Sequence, residues 1–147
     1  MEQRPQHPPE GSPRGDQATT RFADLGTRKW MGVYLRLLAI GYAFSALVHY
    51  GNLLGLGELP FSEMPLSWKL GDIGYALLDT VGVVGLWRRA DWGIACFLLA
   101  AVSQLILYVG FPSVFAFTPA QQAAIQGLVI THVVTLLIFF VLWAIKK

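Results

Sequence analysis

The stretch from Trp68 to Trp87 reads WKLGDIGYALLDTVGVVGLW and decides the fold. Its length matches the roughly 20 apolar residues that a helix needs to cross a bilayer, and tryptophan stands at each end, where interfacial aromatic residues are common. Asp72 and Asp79 lie inside it. Because a carboxylate is costly in hydrocarbon, we expect both acids to face a packed interior that other helices complete.

The composition of the whole chain favours a membrane protein. The chain has 147 residues, of which 54% are hydrophobic, and its mean hydropathy is +0.51. Charged residues make up 14%, against about 25% in ordinary soluble proteins. The basic residues form no patch on a soluble domain, so we expect the lipid bilayer, and not nucleic acid, as the partner of this surface. The single cysteine, Cys96, excludes an internal disulfide.

The chain divides into a polar tail and an apolar domain. Residues 1–29 are predicted to be a cytoplasmic tail, disordered over residues 1–18 because little there can be buried, with a short interfacial helix possible over residues 19–29. The apolar stretch that follows is longer than that of a usual signal peptide. Residues 30–147 are predicted to form an all-α, four-transmembrane-helix up-down bundle. The expected spans are about 35–56, 68–87, 92–111 and 122–145.

Three helix starts are predicted from capping residues. Ser67 is expected to cap the second helix and Asp91 the third, because their side-chain oxygens can accept hydrogen bonds from the first backbone N–H groups. Thr118, Pro119 and Gln121 have the spacing of a capping box with proline at the first helical position. The fourth helix should therefore begin before the membrane proper.

Small and polar residues share faces of three helices, which predicts close helix packing. On the first helix the face comprises Gly41, Ser45, His49, Asn52 and Gly55. On the second it comprises Gly71, Gly74, Gly82 and Gly85, with Asp72 and Asp79 on its flank. On the third it comprises Gly93, Ala100 and Gln104.

Basic residues predict the orientation of the chain. With four spans, every lysine and arginine except Lys69 falls on one side, and that side is expected to be the cytoplasm. Both termini should therefore be cytoplasmic in a bacterial inner membrane. The residues on that side are Arg4, Arg14, Arg21, Arg28, Lys29, Arg36, Arg88, Arg89, Lys146 and Lys147.

The interior polar residues are predicted to form one layer. At a rise of about 1.5 Å per residue, one residue from each helix lies roughly 18 to 22 Å above the cytoplasmic end, and Asp79 lies at about 12 Å. The candidate intramembrane polar site therefore comprises His49, Asn52, Asp72, Asp79, Gln104 and His132. Structurally, such groups can fix helix rotation by hydrogen bonding, for example from a protonated Asp79 to Gln104 or a backbone carbonyl. Asp72 could instead pair with Lys69 on the helix surface.

Two functional alternatives use these side chains. His49 and His132 could ligate one haem b, as paired histidines do in membrane cytochromes, or contact a quinone headgroup. Alternatively, Asp79 and the histidines could carry protons or a solute across the bundle, which would require oligomerisation because four unbroken spans make a poor transporter.

The sequence lacks the common enzyme motifs. It has no nucleophile elbow, no His-Glu-x-x-His and no phosphate-binding loop, so no catalytic residue and no metal site is predicted. The glycine faces, short loops and polar tail suit a non-enzymatic accessory or envelope component. Its partner would be another membrane protein or a second copy of the chain.

Short motifs carry a family resemblance over residues 30–145. They are Phe61-x-x-Met64-Pro65-x-x-Trp68-Lys69, Gly85-Leu86-Trp87, Trp92-Gly93, Phe111-Pro112 and His132-Val133-Val134-Thr135. In these the chain resembles a group of small alphaproteobacterial inner-membrane proteins known only as a domain of unknown function. The resemblance implies four spans and a bacterial inner membrane, and it implies no activity.

Overall fold

The computed structural model describes residues 28–145, and over this range the chain is helical, with no strand. Its helices are α1 (Lys29–Leu53), α2 (Leu66–Trp87), α3 (Asp91–Gly110), the short α4 (Pro112–Phe115) and α5 (Pro119–Ala144). The four long helices are long and apolar enough to cross a membrane. The predicted all-α, four-helix membrane class is therefore confirmed. The expectations for residues 1–27, including most of the interfacial helix, lie outside the described residues.

Helix α1 ends at Leu53, three residues before the expected end of the first span. Gly55 adopts a left-handed conformation with φ of 77°, which is the usual helix-terminating role of glycine. The N–H groups of Gly55 and Leu56 donate back to the carbonyls of Asn52 and Gly51, both at 2.9 Å. The prediction that Gly55 extends the polar face of α1 is therefore wrong, because the chain has already turned.

The predicted caps differ in outcome. Helix α2 begins at Leu66, so Ser67 lies inside the first turn, and Pro65 holds the cap position without a side-chain bond. Likewise Asp91 is the first residue of α3, after Ala90. Both cap predictions are wrong, for Ser67 by two positions and for Asp91 by one. The capping box of α5 is confirmed, since the Thr118 side chain accepts from the Gln121 N–H and the Gln121 side chain accepts from the Thr118 N–H.

Helices α2 and α3 approach most closely where Gly85 meets Gly93. A Cβ atom added at either glycine would overlap the backbone of the other helix. Gly82 also faces α3, because its Cβ would lie 3.5 Å from Cβ of Cys96. Gly71 and Gly74 face open space, however. Only the part of the predicted glycine face near the turn between α2 and α3 is therefore a packing surface.

The hydrophobic core fills one half of the bundle. We call this the terminal half, because it contains the start of α1, the turn between α2 and α3, and the end of α5; the opposite half, with the loops at 54–65 and 111–118, is the loop half. Phe97 and Phe139 meet edge to face there, with ring centroids 5.5 Å apart. The core cluster comprises Met31, Leu35, Leu38, Ala39, Leu86, Ile94, Phe97, Ala101 and Phe139.

Helix α5 packs against the bundle mainly in the terminal half. Its one buried residue is Phe139. Tyr34 donates a hydrogen bond to the Thr135 carbonyl at 2.5 Å, and Arg28 donates to the carbonyls of Trp143 and Ile145, both at 3.1 Å. Only 6% of the apolar membrane-spanning stretch of α5 is buried inside the protein, against 33% to 39% for the corresponding stretches of the other long helices. The loop half of the bundle is correspondingly open.

Candidate functional site

His49 on α1 and Asp72 on α2 form the centre of the polar site. His49 Nδ1 lies 2.6 Å from Oδ1 of Asp72, which also accepts a hydrogen bond from Asn52 at 3.2 Å. Asn52 stands three residues after His49, so both side chains lie on one face of α1 and reach the same carboxylate. Asp72 is 7% exposed. A buried carboxylate is thus held by two side chains of the neighbouring helix.

Asp79 lies behind this pair, two helical turns along α2. It is 1% exposed, and neither carboxyl oxygen has a hydrogen-bond partner within residues 28–145. Oδ2 of Asp79 lies 3.9 Å from Nε2 of His49, which is too long for a hydrogen bond. Ser45, one turn before His49, is also near this carboxyl but not in hydrogen-bond geometry. His49 therefore stands between two aspartates, with one ring nitrogen toward each.

Tyr75 fixes the His49 ring, and titratable groups of all four long helices interact electrostatically with Asp79. Tyr75 stacks on His49 with centroids 5.8 Å apart, and its hydroxyl lies 3.0 Å from that of Ser103 on α3. The titratable groups near Asp79 come from every long helix. They are Tyr42 and His49 on α1, Tyr75 on α2, Tyr108 on α3 and His132 on α5.

The polar site opens into a cavity of about 380 Å³ in the loop half. His49, Asn52 and Asp72 line one side of it, and Tyr75 and Tyr108 line another. The remaining walls come from further residues of α1 and α2, from α4 and α5, and from the loop after α1. They comprise Val48, Gly57, Glu58, Leu59, Met64, Trp68, Gly71, Phe115, Gln121, Ala124, Ile125 and Leu128. A volume of this size is in the range of small-molecule sites.

The loop between α1 and α2 covers this cavity. Pro60 and Pro65 leave it only one 3-10 turn, Phe61–Glu63, and Met64 turns inward to 6% exposure. Gln121, the capping residue of α5, donates from its amide to Glu58 at 2.6 Å. The loop is therefore tied to the start of α5. It covers the cavity, in addition to lying at the expected membrane surface.

The structure brings together only part of the predicted polar layer. His49, Asn52 and Asp72 meet, and Asp79 lies beside them. The predicted pairing of Asp72 with Lys69 is wrong, because Lys69 donates to the Ser62 carbonyl at 3.3 Å while Asp72 turns inward to α1. The Lys69 side chain lies over the ring of Phe61.

Gln104 and His132 do not join this hydrogen-bonded group. Gln104 is buried at 6% exposure, but Asp79 has no hydrogen-bond partner in the described residues, so the suggested bond between these two side chains is absent. His132 lies with Nδ1 2.6 Å from the Leu128 carbonyl on its own helix. In the described part of the chain, no three His, Cys, Asp or Glu side chains are placed to hold a metal ion.

Several residues of the site were not among the predicted ones. In the sequence, Glu58 has the pattern of an exposed loop acid, and Gln121 that of a capping-box residue. Trp68 reads as an interfacial anchor, yet it lines the cavity, stacks on Phe117 at 5.8 Å and has a buried Nε1 without an acceptor in residues 28–145. These residues share no helix face, so no sequence spacing could have grouped them.

Four apolar helices around a buried polar site define a helical integral membrane protein. The chain belongs to a family of unknown function, DUF6163, whose model matches residues 29–147. This match confirms the resemblance to a domain of unknown function; it includes all five helices and leaves out most of the tail. Comparison with curated proteins and with solved structures gives no match.

Proposed function

We propose that this protein is a non-enzymatic membrane component whose interior binds a proton reversibly at Asp72, His49 and Asp79. The observation that carries the proposal is the position of His49. Its Nδ1 is 2.6 Å from Asp72 and its Nε2 is 3.9 Å from Asp79. Imidazole exchanges protons near neutral pH and can accept at one ring nitrogen while it donates from the other.

The geometry supports transfer from the cavity to Asp79. Asp72 lines the cavity, whereas Asp79 does not. A proton taken up on the cavity side could pass through the His49 ring to the buried carboxyl. The 3.9 Å gap requires the ring to move by roughly 1 Å, or one water molecule to bridge it, before a hydrogen bond forms. A proton on Asp79 would remove the cost of an unpaired buried charge.

Access to the site is one-sided, which favours a proton-binding role over transport. Beyond Asp79 the terminal half is filled by the apolar core cluster, which includes Leu35, Leu86 and Phe97, each at 0% exposure. Tyr34 and Tyr42 in that region donate their hydroxyls to backbone carbonyls. A proton that enters from the cavity would therefore return to the cavity. This suits a pH-responsive accessory subunit better than a channel.

Location and orientation complete the proposal. We place the protein in a bacterial inner membrane with both termini cytoplasmic. Among residues 28–145 the terminal half carries Arg28, Lys29, Arg36, Arg88 and Arg89, while the cavity end carries only Lys69. The cavity then faces the periplasm. An accessory role needs a partner, and α5, the least covered long helix, is the surface on which a second membrane protein would dock.

The haem alternative fits this geometry less well. Both ring nitrogens of His49 face carboxylates, and His132 has Nδ1 against the Leu128 carbonyl. An iron ligand at His49 would have to displace one of these neighbours. A quinone headgroup in the cavity is compatible with the His49–Asp72 pair, and titration with a short-chain quinone tests it.

Infrared difference spectra across a pH titration of the purified protein in lipid test the proton site. A shared proton predicts that the band of a protonated carboxylic acid and the imidazole bands of the histidines change together as the pH is varied. Asp79→Asn should remove the carboxyl band and alter the imidazole response. His49→Gln should remove the coupling between carboxyl and imidazole.

Asp91→Asn is the matched control, because Asp91 is exposed at the start of α3. It should leave both signals in place. The proposal fails if carboxyl and imidazole titrate independently in the wild-type protein, or if Asp91→Asn removes the same band as Asp79→Asn.

A further inference from the structure

We infer that the loop-half cavity binds an organic cation, a compound with an ammonium group on a small apolar body. The inference goes beyond the proposed proton site, with which it shares Asp72, and it does not require proton transfer. It rests on the acids, the aromatic walls and the placement of basic residues around this cavity.

The charge of the cavity lining is the first support. Glu58 and Asp72 line it, and no lysine or arginine among the described residues does. The nearest basic side chain along the chain, Lys69, lies over the Phe61 ring and donates to the Ser62 carbonyl. With His49 protonated the two acids still outnumber the cation, so the cavity attracts positive charge.

The aromatic walls are the second support. Trp68, Tyr75, Tyr108 and Phe115 all line the cavity. Tyr108 and Phe115 meet edge to face at 5.6 Å, and Trp68 is stacked on Phe117, so the rings are held in place by neighbours. Aromatic faces attract ammonium groups, and several rings around one space form the arrangement that recognises quaternary ammonium ions.

The carboxylates occupy different positions relative to these rings. Asp72 lies at the His49 side, where Oδ1 is already used by His49 and Asn52. Glu58 belongs to the covering loop and is exposed, and its Oε2 accepts a hydrogen bond from Gln121. Each carboxylate therefore keeps a second oxygen that can face a ligand. An ammonium group between the rings would meet negative charge from both ends of the cavity.

The basic residues are concentrated at the opposite end of the bundle. Arg28 donates to the last carbonyls of α5, and Arg36 lies over the Trp87 ring. These contacts hold the guanidinium groups in the terminal half, so they do not neutralise the cavity acids. The charge separation along the bundle is thus a property of the folded chain as well as of its sequence.

Indole N–H signals of the five tryptophans in a ¹H–¹⁵N spectrum provide the test. The protein is titrated in a neutral maltoside detergent, which adds no cationic headgroup, with benzyltrimethylammonium as the probe. Trp68 should shift saturably, while Trp30, Trp87, Trp92 and Trp143 stay in place. The neutral isostere neopentylbenzene is the matched ligand control and should shift Trp68 far less.

Variants separate charge from shape. Asp72→Asn should weaken probe binding by at least about tenfold, and Glu58→Gln by about threefold, because Glu58 shares its charge with Gln121. Glu63→Gln removes an acid from the same loop that does not line the cavity, and should leave the affinity as in the wild type. The four other indole signals report whether each variant is folded.

Four results would overturn the inference. They are equal shifts from the cation and its neutral isostere, a shift spread over all tryptophans, an unchanged affinity in both Asp72→Asn and Glu58→Gln, and an equal response to a short-chain quinone, which would show a neutral ligand site. Competition by dihexanoyl phosphatidylcholine would support the inference and assign the ammonium group to a lipid headgroup; without competition, saturable probe binding assigns it to a free amine.

Failure here differs from failure of the proton proposal. Cation binding is measured at Trp68, and proton binding is measured in the carboxyl and imidazole bands. Saturable, charge-dependent binding with independent titration of the carboxyl would keep this inference and end the proposed proton site. Coupled titration without a selective Trp68 shift would do the reverse.

Discussion

The terminal half and the loop half of the bundle satisfy their polar groups differently. In the terminal half, Tyr34 and Tyr42 donate to backbone carbonyls, and Arg28 closes the end of α5. In the loop half the indole of Trp68, and at its border with the terminal half Asp79, have buried polar atoms without partners in the described residues. Unpartnered buried groups cost free energy, so they are expected where function requires them. The comparison separates a half that stabilises the fold from a half built around a site.

The largest expected effect is the loss of core packing in the terminal half. Phe97→Ala removes a ring at 0% exposure that contacts Phe139 and Tyr42. We expect a loss of roughly 3 kcal/mol in the free energy of unfolding, at the low end for such a change because lipid, and not water, surrounds the helices. Equilibrium unfolding in mixed micelles measures it.

Phe44→Ala is the control, since Phe44 is 71% exposed toward the expected lipid. It should change the stability little. Equal losses for Phe44→Ala and Phe97→Ala would show that the terminal half is not the packed core of the fold.

The contact between Gly85 and Gly93 comes next. Gly93→Ala would push a methyl group into the backbone of α2 and force the helices apart, at a cost of about 2 kcal/mol. Gly74→Ala places the same methyl in open space on α2 and should be neutral or slightly stabilising. Thermal unfolding of both variants measures these changes in stability. An unchanged stability in Gly93→Ala would mean that α2 and α3 do not meet at Gly85 and Gly93.

Asp79 provides the sharpest test of the polar site. Because its carboxyl has no partner, Asp79→Leu should raise the free energy of unfolding by about 1 kcal/mol while it abolishes the carboxyl infrared band. Asp72→Leu, at the hydrogen-bonded aspartate, should lower stability by a similar amount. If Asp79→Leu destabilises as Asp72→Leu does, Asp79 has a structural partner and the contrast between the halves is lost.

The smallest expected effect concerns the tyrosine hydroxyls of the terminal half. Tyr34→Phe removes a 2.5 Å hydrogen bond to the Thr135 carbonyl and should cost about 0.6 kcal/mol, the average for such bonds between membrane helices. Tyr42→Phe removes a longer bond of 3.3 Å to the Phe97 carbonyl and should cost less. Chemical unfolding curves compare the two; the reverse order would contradict the role given to Tyr34 in holding α5.

Much of the site followed from periodicity along single helices. Asp72 and Asp79 are seven residues apart, so they had to lie near one face of α2, and His49 and Asn52 had to lie near one face of α1. Gln104 and His132 were placed at the same depth by the same counting, yet Gln104 makes no bond to Asp79 and His132 bonds its own helix. Depth is a property of one helix, whereas contact also depends on how each helix rotates about its axis.

The pairing of Asp72 shows the same limit. Its spacing from Lys69 favoured an ion pair along α2, since side chains three residues apart are neighbours on a helix. The structure turns Asp72 toward His49 and Asn52 on α1, and Lys69 toward the loop. A bond within a helix can be predicted from spacing, but the competing bond to another helix cannot.

Sequence alone determined that the helices of this protein are suited to lipid and how the chain is divided into helices. Long apolar stretches, end tryptophans, the placement of basic residues and the Thr118–Gln121 capping box are local signals, and each acts within one helix or at its end. Only the tertiary structure decided that α5 is buried only at Phe139 in the terminal half, that His49 stands between Asp72 and Asp79, and that Glu58 and Trp68 line a cavity. The physical reason is that side-chain packing between helices sets their rotation and separation.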